Sequence, residues 1–284
     1  ESVKSICNEF VIVDTGSTDS TKEIIQKYGK LYEEPFVNFV ATKNKALEYA
    51  WETENDYILW MDADEYFLPG QAERLYNIIV ENPEIPSVST DINDIIGDDN
   101  IATAEYTRQR LWRKDLKFEF AGPGIHEYID NRMMESISDR QVKVQHKHKT
   151  KGKDYDGNSQ FYIKTMSEWL ESHPNDLRAL FYLGETYRYA GHCRISNEYY
   201  LRYLTLPNTF RDEMYWASYC IAQNYYAMQE VQLADDELNR TISFDSRRAE
   251  AYFMKGLIKF WLEEWEECIE FLETALHCNK MPDV

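Results

Sequence analysis

The apolar run Tyr57-Ile58-Leu59-Trp60-Met61 breaks abruptly into Asp62-Ala63-Asp64-Glu65, three carboxylates within four positions. An apolar run of this length reads as a strand buried on both faces of a parallel sheet. Ligands of open α/β sheets collect just beyond the carboxyl ends of the strands. If the chain stays extended, Asp62 and Asp64 point the same way, because side chains repeat every second residue. Two carboxylates set together repel unless something positive sits between them. A hard divalent cation, Mg2+ or Mn2+, is the natural occupant.

At 284 residues the chain is long enough for one large domain or two ordinary ones. No apolar run approaches the roughly 18 residues of a membrane span, and no secretory signal is visible. The chain begins at Glu1 rather than Met, which leaves room for an upstream segment. A formal net charge of −19 argues against broad binding to nucleic acid or anionic membranes. A phosphate-bearing substrate would then need a local positive site or a metal. The cysteines (Cys7, Cys193, Cys220, Cys268, Cys278) are odd in number and form no C-x-x-C pair. Free thiols in a reducing cytosol, and hence a cytoplasmic location, fit better than a disulfide framework or a zinc site.

The two halves follow different patterns. Residues 1–155 alternate strand-like and helix-like pieces and read as an α/β domain. Phe10-Val11-Ile12-Val13 is a short buried strand that runs into the small, polar loop Asp14-Thr15-Gly16-Ser17-Thr18-Asp19. That loop reads either as an ordinary turn or as part of a site. Ser20-x-x-Glu23 has the form of a capping box opening a helix. A second helix is expected from about Lys43 to Thr53, and strand, helix, strand in this order implies parallel crossovers. Between Glu81 and Asn100 the pattern dissolves into Pro, Ser and Asp, which reads as loops and short strands. In 141–149, Val142, Val144, His146 and His148 share one face of a strand, and Lys143, Gln145, Lys147 and Lys149 the other.

Residues 156–284 read as all-α. Leu183-Gly184-x-x-Tyr187, Ile221-Ala222-x-x-Tyr225 and Lys255-Gly256 recur with a period of about 34 residues, a small residue lying where two helices would cross. This resembles the tetratricopeptide repeat, with Phe161 to Glu171 as an extra outer helix; the plainer reading is a helical bundle. The many aromatics (Tyr182, Tyr187, Tyr189, Trp216, Tyr219, Tyr225, Tyr226) read as core between helices, or as a recognition surface.

Residues 11–21 (Val-Ile-Val-Asp-Thr-Gly-Ser-Thr-Asp-Ser-Thr), Lys43-Asn44-Lys45-Ala46-Leu47 and Leu59-Trp60-Met61-Asp62-Ala63-Asp64-Glu65 stand in the order and rough spacing of family 2 glycosyltransferases with the GT-A fold. Arg110-Leu111-Trp112-Arg113, followed by Phe120-Ala-Gly-Pro-Gly-Ile-His126-Glu127, looks like the later block of the subgroup that carries tetratricopeptide repeats. The resemblance implies a nucleotide-sugar donor, UDP- or GDP-linked, held by the Asp14 loop with Gly16 and Ser17, by Lys43 and Asn44, and by the D-x-D. Asp14 would contact the base, Asp62 would lie near ribose and metal, and Asp64 would be the main ligand of Mn2+ or Mg2+. Lys43 stands where family members often have Arg. Family members also open with a strand and a short Asn-Glu loop. Here Glu1 to Cys7 reads as the helix after that strand, so the first strand is absent, a neighbour is left unpaired and the base pocket is half built.

Inverting transfer needs a base for the acceptor's proton. Glu127 follows a Gly-Pro-Gly loop that could bring it to the site mouth, and the resemblance puts the His126-Glu127 pair in the pocket. The plain alternative is a surface carboxylate beside a structural histidine. Glu65 is a second candidate base, or an orienter of the metal ligands. The segment from Lys143 to Lys153 reads as a diphosphate clamp with His146 a further metal ligand, or as an edge strand guarded by lysines.

The expectation is a metal-dependent inverting glycosyltransferase whose acceptor is a glycan, peptide or protein, with a possible protein partner on the helical repeats. The alternative is a helical-repeat binding module beside an inactive transferase domain. A haloacid-dehalogenase-type phosphatase also puts D-x-D after an apolar strand, but wants Thr or Val where Tyr66 stands. A sugar-phosphate nucleotidyltransferase would carry a Gly-rich loop near its start.

Overall fold

The computed structural model describes residues 1–96, 102–130, 135–148, 155–207 and 209–278. The chain divides into two compact units, Glu1–Gly152 and Lys153–Asp283.

In the first unit, β1 (Val11–Asp14) and β2 (Lys30–Glu33) pair in parallel around the short α1 (Thr21–Ile25). The expected capping box does not form. Ser20 makes no side-chain cap, and the Thr21 N–H donates to Asp19 Oδ1 at 3.0 Å, because Asp closes a local turn more readily than Ser. The next helix, α2 (Phe39–Trp51), starts ahead of Lys43 because Asn38 caps it, accepting from the Ala41 N–H at 2.8 Å. Glu1 to Cys7, expected as a helix, is a series of turns.

The elements that follow are β3 (Tyr57–Leu59), β4 (Glu65–Phe67), α3 (Gln71–Glu81), β5 (Ser87–Ile96), β6 (Ala102–Arg113), β7 (Phe120–Ala121), β8 (Tyr128–Ile129) and β9 (Ser136–His148). Five of them form one sheet in the order β3-β6-β5-β9-β4, and only β5 and β9 run parallel. The parallel, doubly covered strand expected at Tyr57 is therefore corrected. β3 is antiparallel to β6, with Ile58 buried and Tyr57 and Leu59 partly open.

The stretch expected as loops and short strands contains β5, a single strand ten residues long at the centre of the sheet. Two of its polar groups are bonded across the strands: Asp91 accepts from Thr107 Oγ1 at 2.7 Å, and Ser89 Oγ meets Ser136 Oγ at 2.7 Å, whereas Thr90 Oγ1 and Asn93 Oδ1 are buried without a hydrogen-bond partner among the described residues. β9 lies inside the sheet, so the edge-strand reading of the lysine segment is also corrected. Val142 and Val144 are buried as their alternation predicts, in a core with Leu75, Val88 and Ile92. Lys143 pairs with Glu105 at 2.8 Å. Lys149, Lys151 and Lys153, and the side chain of His148, fall outside the described residues.

Among the described residues β1 pairs only with β2, and β3 only with β6. A groove of about 460 Å³ is lined by both strands (Val11, Ile58) and by α2 and α3 (Leu47, Leu75, Ile79).

The second unit consists of α4 (Tyr155–Ser172), α5 (Leu177–Tyr189), α6 (Cys193–Thr205), α7 (Arg211–Ala227), α8 (Val231–Phe244), α9 (Ala249–Trp261) and α10 (Trp265–His277). After α4 the helices pack in antiparallel pairs, and the small residues lie at the crossings. A Cβ on Gly184 would stand 2.7 Å from the Tyr200 ring, and one on Gly256 2.7 Å from Leu272. The turn inside each pair is the same: Gly191, Gln229 and Glu263 take φ of 79°, 63° and 60°. The following N–H then reaches back five residues, His192 to Tyr187, Glu230 to Tyr225 and Glu264 to Lys259, as in a Schellman cap. This is the tetratricopeptide-like array, with α4 packed through Met166 and Leu170 as the outer helix. Of the aromatics named above, Tyr182, Tyr187, Trp216, Tyr219 and Tyr225 are partly buried against the helical cores, whereas Tyr189 and Tyr226 are exposed.

Gly184→Ala is expected to cost about 1 to 3 kcal/mol by urea denaturation, since Tyr200 has no room to yield. Gln229→Gly, which relieves a left-handed non-glycine residue, is expected to be neutral or to stabilise by up to about 1 kcal/mol. The reverse order of stabilities would refute the packing described.

Candidate functional site

The chain does not continue extended past β3. The Glu65 N–H donates to the Asp62 carbonyl at 3.1 Å, closing a turn over residues 62–65. The period-two argument for Asp62 and Asp64 therefore does not apply, and the two carboxylates find different partners.

Glu65 holds this turn. Its Oε2 accepts the Asp62 N–H at 2.9 Å, and its Oε1 is paired with Arg110 Nη2 of β6. The two side chains are 2% and 3% exposed. Burial leaves the Glu65 carboxyl above its usual range, although the Arg110 charge pulls the other way. Glu65 thus sits buried behind the D-x-D and holds the backbone of its turn. Arg110 belongs to a motif visible in the sequence, but its pairing with Glu65 was not legible there.

Lys43 lies at the centre of the Asp62 side of the site. Its Nζ is 3.1 Å from Asp62 Oδ1 and 2.5 Å from Glu127 Oε1. It lies against the touching rings of Trp60 and Phe120, with centroids at 5.3 and 5.4 Å. Asp62 also accepts from Trp60 Nε1 at 3.1 Å. Burial would push both carboxyls up. For Asp62 the charges of Lys43 and Arg110 outweigh it, and for Glu127 Lys43 does so by charge and hydrogen bond, so both lie below the usual range.

Three features of α2 and its neighbours bring Glu127 to Lys43. Asn44 binds both backbone groups of Phe120, donating to its carbonyl at 2.9 Å and accepting its N–H at 2.7 Å. The Phe39 N–H donates to the Gly124 carbonyl at 3.0 Å. His126 takes φ 54°, a left-handed turn that histidine tolerates better than most residues, immediately before Glu127. Asn44 is thereby committed to holding the Gly-Pro-Gly loop, and His126 contributes at least its backbone turn.

Asp14 ends β1, buried, and closes its own loop. Its Oδ2 accepts the N–H groups of Gly16 (3.1 Å) and Ser17 (3.0 Å), with Lys22 at 3.7 Å. Hydrogen bonds, that of the Ser17 side chain foremost, hold its carboxyl below the usual range. Gly16 sits at φ 117°, open to glycine and strained for other residues.

Asp64, with 56% of its side chain exposed, faces His146 of β9, whose Nε2 is 3.3 Å from Asp64 Oδ2. The other ring nitrogen, Nδ1, is 2.8 Å from Asp94 Oδ1 of β5. Caught between two carboxylates, the imidazole has its pKa pushed up to about 10. The described residues contain no cluster of three or more metal-ligating side chains. One carboxylate and one imidazole converging at 3.3 Å nevertheless fit Mg2+ or Mn2+, which are held by few protein ligands when substrate phosphates complete the shell.

A family model described as Glycosyl transferase family 2 matches residues 1–143. No curated protein matches the chain. Among solved structures, "Crystal structure of MamA" is similar at 28% identity over 43% of this chain and 67% of that one, with a TM-score of 0.37. "MamA 41-end from Desulfovibrio magneticus RS-1" is similar at 21% identity over 44% of this chain and 73% of that one, also with a TM-score of 0.37. These scores are too low to bear on function, and the helical array stands on its own packing.

Arg110→Met, which strands the Glu65 carboxylate in the interior, is expected to cost about 3 to 5 kcal/mol by urea denaturation. Adding Glu65→Gln should recover part of that loss. A single variant as stable as the parent would show that the pair does not hold the turn.

Proposed function

The chain belongs to glycosyl transferase family 2, and from that premise we propose that it is a metal-dependent inverting enzyme moving a sugar from a nucleotide-sugar donor to a glycan, peptide or protein acceptor. The observation that carries this reading is the Lys43 ammonium binding Asp62 and Glu127 at once, beside the Asp64–His146 pair.

Glu127 takes the proton from the acceptor nucleophile. The nucleophile forms its bond to the anomeric carbon on the face opposite the diphosphate. The bond to the diphosphate oxygen breaks, and its electron pair leaves with the nucleotide. Lys43 then faces growing negative charge on the donor side. It also keeps Glu127 ionised and ready, at some loss of basicity. Asp14, Gly16 and Ser17 form the base end of the donor site, and Asp62 its ribose side. Asp64 and His146 would hold the divalent cation, which when bound supplies Lewis-acid stabilisation of the leaving diphosphate. Residues 1–155 make up this catalytic domain. The helical domain, 156–284, presents a peptide or protein acceptor, and Trp261 and Leu276 lie exposed on its last two helices for such contact. No described helix is long and apolar enough to cross a membrane.

A screen of nucleotide sugars for hydrolysis, with and without Mn2+, tests the reading, and no metal-stimulated turnover or binding with any donor would overturn it. Asp64→Ala is expected to lower turnover by roughly 100-fold or more. Its melting temperature without ligand should be nearly unchanged, because the side chain is largely exposed. Glu127→Gln should lower turnover by about 10² to 10⁴ while donor binding survives. Normal turnover in that variant removes Glu127 from the mechanism.

Lys43→Met leaves Glu127 buried without its cation, so the Glu127 pKa rises. The acid limb of kcat/KM should move to higher pH, and an unmoved limb would mean that Glu127 is not the titrating base.

A further inference from the structure

β5 and β9 run parallel in a register that sets Asp94 opposite His146, and β4 places Glu65, the residue after Asp64, opposite His146 from the other side. His146 therefore stands between the D-x-D turn and the central strand. Its Nδ1 is 2.8 Å from Asp94 Oδ1, and its Nε2 is 3.3 Å from Asp64 Oδ2. Asp94 is itself held, since Tyr106 of β6 donates its hydroxyl to the same oxygen at 3.3 Å. The Asp94 and His146 side chains are 21% and 19% exposed, the Asp64 side chain 56%. The imidazole is thus fixed from its inner side and directs its outer nitrogen to the open carboxylate.

When a divalent cation takes the place of the Nε2 proton, a ring that still donates Nδ1–H to a carboxylate has its tautomer chosen and presents its Nε2 lone pair to that cation. We propose that Asp94 is a positioning residue: it orients His146 so that Nε2 and the Asp64 carboxylate converge on one divalent cation. This rests on the reading of Asp64 and His146 as cation ligands. Asp94 touches neither donor nor cation and acts through the ring alone. The parallel register supplies the rigidity, because two paired strands of a five-stranded sheet place the carboxylate and the ring. The sequence offered no signal for this role, since Asp94 lies in a stretch whose local pattern reads as loops and short strands.

The test is Mn2+ binding to the full chain, measured by calorimetry and by the loss of free-ion electron resonance, without donor or acceptor. Asp94→Ala is expected to weaken Mn2+ binding about 10- to 100-fold. Asp94→Asn keeps an oxygen acceptor for Nδ1–H and should restore most of that affinity. Asp94→Ala binding Mn2+ as tightly as the parent overturns the proposal, as does Asp94→Asn behaving like Asp94→Ala.

Asp64→Ala separates the two levels. If it loses Mn2+ while Asp94→Ala does not, only the role of Asp94 falls. If Asp64→Ala also binds Mn2+ unchanged, the cation site itself falls and the proposal with it. Should Asp94→Ala fail to fold, nitrogen-15 spectra of the parent with Mg2+ decide. A proton on Nδ1 of His146 supports the proposal, and a proton on Nε2 overturns it.

Discussion

The geometry of the first unit hangs on one ammonium. Lys43 joins Asp62, at the end of the central apolar run, to Glu127, which lies 84 residues along the chain from Lys43. In a chain of net charge −19 two partly buried carboxylates would otherwise repel each other and draw water. The Lys43 side chain is only 12% exposed, covered on one side by the rings of Trp60 and Phe120, so the attraction is screened less than at the surface. Exposed pairs such as Lys45 with Glu48 look similar on a distance list but contribute little, because solvent and salt compete for both partners. The same tie explains why α2 must be anchored so firmly. Asn44, the next residue, spends its whole amide on the backbone of Phe120, so that the loop carrying Glu127 cannot drift from the helix carrying Lys43.

What the sequence revealed and what it hid divide along a physical line. Local periodicity was legible wherever burial alone decides it. The alternation of Val142 and Val144 and the small residues at Gly184 and Gly256 could be read directly, since each records one face against a core. Features decided by a distant partner were not. β5 reads as loops and short strands because it is rich in Ser, Asp and Asn, yet Asp91 and Ser89 bond to Thr107 and Ser136 on neighbouring strands, which no local window contains. The turn at residues 62–65 was hidden for the same reason: Glu65 is drawn inward by an arginine 45 residues away. The resemblance supplied most of the candidate site residues, but not which of them bind one another. The Lys43–Glu127 pair and the Asp94–His146 pair were visible only in three dimensions.

The two ends of the proposed donor site rest on very different supports. Asp64 and His146 stand on a five-stranded sheet with a continuous buried core beneath it. Asp14 stands on β1, which among the described residues pairs only with β2. Among the described residues no strand bonds β1 to β3. What sets β1 relative to the rest is chiefly its packing against α2. In the proposed reading the leaving charge develops at the end of the site that stands on the hydrogen-bonded sheet, where the cation ligands need the firmest support.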